Sequence, residues 1–121
     1  VNSAGKKTQI GRNWHTVKGL AGTVRHEYGH YISHNLDFMT RWNWEMIYTK
    51  YSWPDSISRK ETIRSTKVED NISTYGGTNA EECFAESFAA YTSPKYAVDG
   101  VRLPKEMEEF FDMLLVKGVK E

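Results

Sequence analysis

His26-Glu27-Tyr28-Gly29-His30 is the stretch around which this chain is organised. It lies inside a segment, from about Val17 to Asn35, whose patterning predicts one long helix with Thr16 as its N-cap. On a helix, two histidines four residues apart stand one turn from each other on the same face, so both imidazoles can reach one ion. His-Glu-x-x-His is the zinc-metallopeptidase pattern: the histidines hold Zn²⁺ and the glutamate between them serves as general base. At about 100° per residue, Val17, Leu20, Ala21, Val24, Tyr28, Tyr31 and Ile32 fall on one broad apolar face. His26, Glu27 and His30, with Thr23, His34 and Asp37, fall opposite. The expectation is a helix with a core face and a separate chemical face. Gly22 and Gly29 each cost about 1 kcal/mol there relative to alanine, and such glycines suit close approach of another element to a crowded site.

The 121 residues read as a single domain, large enough to bury its own core. Lysine plus arginine equals aspartate plus glutamate at 16 each, so the formal net charge is zero. That balance gives no reason to expect nucleic acid or an anionic membrane as partner. One cysteine, Cys83, precludes an intramolecular disulfide. No apolar run approaches the length of a membrane span. The first residue is valine, with no signal-like segment behind it, which fits a processed product or a domain cut from a longer protein.

Residues 1–13 are polar, with a short strand expected at most around Thr8–Ile10, and His15 is assigned a structural or surface role. The aromatic-rich stretch from Phe38 to Tyr51 predicts a second helix, with Phe38, Trp42, Glu45 or Met46, and Thr49 in helical spacing and Trp44, Ile47 and Tyr48 broadening the apolar face. Trp53-Pro54-Asp55 ends it. Residues 55–70 read as a solvated helix or loop with little core to offer, and as a place for substrate selectivity. Gly76-Gly77 is a turn. Thr78-Asn79-Ala80-Glu81 reads as a capping box, so a helix is expected to start at Thr78 and run to about Thr92, with Glu81 reaching back to the cap. Glu82 and Glu86 lie one turn apart on another face, beside aromatics, where partly buried carboxylates require a cation or hydrogen-bond donors. A last helix follows Pro104, with Met107, Phe110, Phe111, Leu114 and Leu115 on its core side.

Hydrolytic zinc takes three protein ligands and keeps one position for water. His26 and His30 supply two, and the candidates for the third are Glu82, Cys83, His34 and Asp37. His34 continues the line of His26 and His30 along one helix, from which a tetrahedron does not close, so it reads as a cleft-rim or surface residue. Metzincins place a glycine and a histidine where this chain has Ser33 and Leu36, which excludes that class. Peptide deformylases use a cysteine upstream of the helix, whereas Cys83 lies downstream. A glutamate on a second helix, the gluzincin arrangement, fits best.

Together, Tyr75-Gly-Gly-Thr-Asn-Ala-Glu-Glu-Cys-Phe-Ala-Glu-Ser-Phe and His26-Glu-Tyr-Gly-His30 resemble the catalytic domain of the anthrax lethal factor family, gluzincins that include the secreted proline-proline endopeptidases. The resemblance runs from about Thr16 to Leu115 and is carried by these two motifs. It implies His26, His30 and Glu82 as ligands of one Zn²⁺, and Glu27 as the base that takes a proton from water. It further implies Tyr75 as hydrogen-bond donor to the developing oxyanion and Glu86 as an outer carboxylate orienting a ligand histidine. Cys83 stands where the family tends to have an aromatic, which would make the site oxidisable. The fold expected is α+β: a minimal zincin-like domain, mostly helical, with at most a small sheet from residues before Trp14 and around the polar middle. The function expected is a zinc endopeptidase acting on a protein or peptide substrate. The alternative is a zincin-like structural or binding module within a larger toxin or phage particle protein. Localisation is not readable in the sequence; the protein is expected to be soluble, and the same resemblance allows secretion or association with a phage particle.

Overall fold

The computed structural model describes residues 15–52, 66–98, 100 and 102–120. Its elements are α1 (Gly19–His34), α2 (Phe38–Tyr51), α3 (Thr66–Asn71), a 3₁₀ turn (Tyr75–Gly77), α4 (Ala80–Thr92) and α5 (Lys105–Lys120). The structure is mostly helical, and no strand occurs among the described residues. The short strand expected near Thr8–Ile10 and most of the polar middle lie outside them. No described helix is long and apolar enough to cross a membrane.

The centre of the fold is α4. Eight consecutive residues, Cys83 to Ala90, are buried, because all but Glu86 are apolar or small and neighbours can cover the whole circumference, while Glu86 is buried with hydrogen-bond partners. Phe84 and Phe88 meet Phe111 and Met107 of α5, Trp44 of α2, and Val68 and Ile72 in and just beyond α3, in one core cluster. The Phe84 ring lies 5.4 Å from that of Trp44 and 5.2 Å from that of Phe111. Trp44 buries its ring and still satisfies its indole, which donates to the Ala80 carbonyl at 2.9 Å. The α5 face carried by Met107 and Phe111 is fully buried, with Phe110, Leu114 and Leu115 packed at its margin, as the spacing indicates.

Four local readings change. The start of α4 moves from Thr78 to Asn79, which is extended and accepts from the Glu82 amide at 2.8 Å. Thr78 cannot serve as cap because its backbone is helical, closing the 3₁₀ turn with a bond from its amide to the Tyr75 carbonyl. Glu81 is consequently exposed and pairs with His34 at 3.4 Å instead of reaching back. On α2, Trp44, Ile47, Tyr48 and Tyr51 turn inward while Phe38, Trp42 and Met46 are exposed. Asp37 caps this helix, accepting from the Thr40 amide at 2.7 Å. The polar middle contributes to the core after all, through fully buried Val68.

The largest correction concerns α1. Its buried residues are Gly22, His26, Gly29 and Ser33, one helical stripe, whereas Leu20, Val24, Tyr28 and Tyr31 are 53–80% exposed. The helix therefore docks on α4 through its chemical face. Gly29 permits this: a Cβ there would stand 3.0 Å from the Ala85 Cα and 3.2 Å from the Phe88 Cβ. Two backbones this close leave no room for apolar side chains between them, and His26 enters the interface beside the gap. Gly29→Leu is expected to force the helices apart, lowering stability by about 1–3 kcal/mol and weakening metal binding in parallel. Thermal melts and metal titration of the variant check both.

Candidate metal centre

The docking of α1 on α4 brings two histidines against two glutamates. His26 Nε2 and His30 Nε2 lie 3.1 Å and 3.0 Å from the same oxygen, Glu82 Oε1. These three donor atoms lie within 4.8 Å of one another. The i,i+4 spacing stacks the histidines on one side of α1, with ring centroids 4.8 Å apart, and the first turn of α4 places Glu82 opposite them. Of the four candidates for third partner, Glu82 alone approaches both imidazoles. Asp37 is committed to the α2 cap, and His34 faces Glu81.

Cys83 points away from this cluster into the core, with Sγ 3.9 Å from the Ser87 hydroxyl. Full burial pushes its thiol up to about 12, so it is a protonated core residue. The oxidation liability expected of it is therefore corrected: neither thiolate nor oxidant access is available.

Glu86, 1% exposed, is held as an anion inside the protein. Its Oε1 accepts from the Thr16 amide at 2.8 Å and from the Ser73 hydroxyl at 2.9 Å. Its Oε2 lies 2.5 Å from His26 Nδ1 and 3.0 Å from His15 Nδ1. Burial alone would raise the carboxyl's pKa, but the His26, His15, Thr16 and Ser73 contacts outweigh it and hold the pKa below the usual value. Burial would likewise lower that of His26, but Glu86 and Glu82 outweigh it and the net shift is upward.

Tyr75, on the 3₁₀ turn, sets its ring 5.5 Å from that of His26 and 5.4 Å from that of His15. Burial, then the carboxylates of Glu82, to which it is hydrogen-bonded, Glu86 and Glu27, raise its pKa, so the phenol stays protonated. Glu27 is solvent-exposed. It borders a cavity of about 330 Å³ that is also lined by His15, Gly22, Thr23, His26 and Tyr75.

Sequence reasoning missed three residues here. The sequence gives His15 only a structural or surface role and Thr16 a helix cap, yet both bind Glu86; the Thr16 hydroxyl also donates to the Glu86 carbonyl at 2.7 Å. With Thr16 engaged, α1 starts after Lys18 with no side-chain cap. Ser73 was given no role. All three act across 13 to 71 residues of sequence, and no motif spacing signals them. Against protein-family models, curated proteins and solved structures, the chain finds no match.

The donor set suits a divalent ion with nitrogen and oxygen preference. Two imidazole nitrogens and one carboxylate oxygen converge, and the rear nitrogen of His26 is tied to a carboxylate as in many histidine–zinc sites.

Proposed function

We propose that the protein is a zinc-dependent endopeptidase of gluzincin type. The observation that carries this reading is the convergence of His26 Nε2, His30 Nε2 and Glu82 Oε1 beside a cavity that also receives Glu27 and Tyr75. His26, His30 and Glu82 would hold Zn²⁺, which when bound supplies a Lewis acid for the scissile carbonyl and lowers the pKa of water to about 7. The Glu27 carboxylate takes the proton of the attacking water and passes it to the leaving amine nitrogen. The Tyr75 hydroxyl donates to the carbonyl oxygen as charge grows on it, a contribution of a few kcal/mol in comparable sites. Glu86 orients His26 so that its Nε2 faces Glu82, where it would hold the ion.

Proteins or peptides are the substrates in this reading. A zincin-like binding module without proteolysis is the second reading. It is favoured by the lack, among the described residues, of a strand beside the cavity on which an extended peptide could pair. Incubation of the zinc-loaded protein with a quenched-fluorescence peptide library separates the two. Cleavage that a chelator abolishes and Zn²⁺ restores is expected; a protein that binds zinc and cleaves nothing supports the module.

A further inference from the structure

We infer that His15 is a positioning residue of the metal centre, acting on His26 through their shared partner Glu86. The inference rests on the metal-centre reading above. A carboxylate offers about four lone-pair directions, and four groups of this chain fill them: the Thr16 amide, the Ser73 hydroxyl, His26 Nδ1 and His15 Nδ1. A buried carboxylate so surrounded only accepts. His26 therefore donates through Nδ1, and its Nε2 is the nitrogen turned toward Glu82 and the candidate ion position. The two oxygens are held differently. Oε1 is fixed by a backbone amide and a buried serine, whereas Oε2, the oxygen that orients His26, is shared among the described residues with His15 alone. Removing His15 leaves Oε2 with one partner among the described residues and a place for water, and His26 loses the second wall that fixes its ring.

Placement supports the assignment. His15 comes from the segment leading into α1, and its neighbour Thr16 grips both the side chain and the carbonyl of Glu86. Residues 15 and 16 thus form a clasp over the rear of the centre. The His15 ring stands edge-on to those of Tyr75 and His26, at 5.4 Å and 5.9 Å. Its side chain is 43% exposed, so it can be replaced from the solvent side without opening the core around α4.

The test is Co²⁺ titration of the metal-free protein, followed by ligand-field absorption, for wild type, His15→Ala and His15→Asn, beside thermal melts of the metal-free forms. Asparagine can place an N–H close to where Nδ1–H stands. The expected result is binding about tenfold weaker in His15→Ala, the low end for outer partners of a metal ligand, with a changed absorption band. His15→Asn is expected to restore both. Wild-type affinity and an unchanged band in His15→Ala overturn the inference while leaving the metal centre standing. Weakened binding that follows a lowered metal-free melting temperature and is not restored by asparagine also overturns it, since that is a structural role. A wild-type protein without a Co²⁺ band overturns the metal reading, and this inference with it.

Discussion

Glu27→Gln is expected to lower kcat/KM for peptide cleavage by a factor of about 10² to 10⁴ while zinc stays bound at the wild-type level. Glutamine keeps the size and polarity of the side chain but cannot take a proton from water. Glu27 is also exposed at the cavity, outside the cluster formed by His26, His30 and Glu82. The substitution therefore removes proton transfer and spares the ligands and the fold. Kinetics on a peptide found in the library, beside zinc analysis of the same samples, read both quantities. Activity within a few-fold of wild type would assign the base elsewhere.

Glu82→Ala is expected to reduce metal affinity by a hundredfold or more, about 3 kcal/mol on the conversion of 1.4 kcal/mol per tenfold, with little effect on the melting temperature of the metal-free protein. Glu82 lies in the first turn of α4, and its side chain is partly open to solvent. It contributes less to the core than Glu86 does, and its amide remains capped by Asn79 whatever the side chain. Its oxygen is nonetheless, among the described residues, the one atom in hydrogen-bond distance of both ligand imidazoles. Two histidines on one helix give an ion two donors from one side, and the carboxylate from α4 closes the third. Zn²⁺ competition with a chromophoric chelator measures the loss, and a melt of each metal-free protein shows whether the fold is spared.

The parts of the fold legible in the sequence are those set by short-range rules. Helix spacing, Pro104 and the Gly76-Gly77 turn locate α5 and the entry to α4 within a residue or two. Residues in i,i+4 relation on one helix, His26 with His30 and Glu82 with Glu86, could be paired by periodicity alone. Facing was harder to read. An apolar stripe on α1 points to a core there, but the described residues put Leu20, Val24, Tyr28 and Tyr31 on the outside, because Gly29 makes the opposite face the closer-fitting one against Ala85. A hydrophobic pattern records which side chains avoid water; it does not record how near two backbones can come. The clasp of His15, Thr16 and Ser73 on Glu86 was illegible for another reason. Each contact is one side chain or amide meeting a carboxylate brought close only by tertiary packing, and residues of these types are common on any surface. Capping was partly legible: the Thr-x-x-Glu signal fell one residue early because Thr78 is occupied by the preceding turn.

The most direct test of the central claim is elemental analysis of the purified protein after reconstitution with Zn²⁺ and removal of excess metal, on wild type beside Glu82→Ala. About one zinc per wild-type chain, lost or strongly reduced in the variant, is the result the His26–His30–Glu82 centre predicts. Zinc retained in full by Glu82→Ala would contradict that ligand set, and no zinc on the wild type would contradict the metal centre itself.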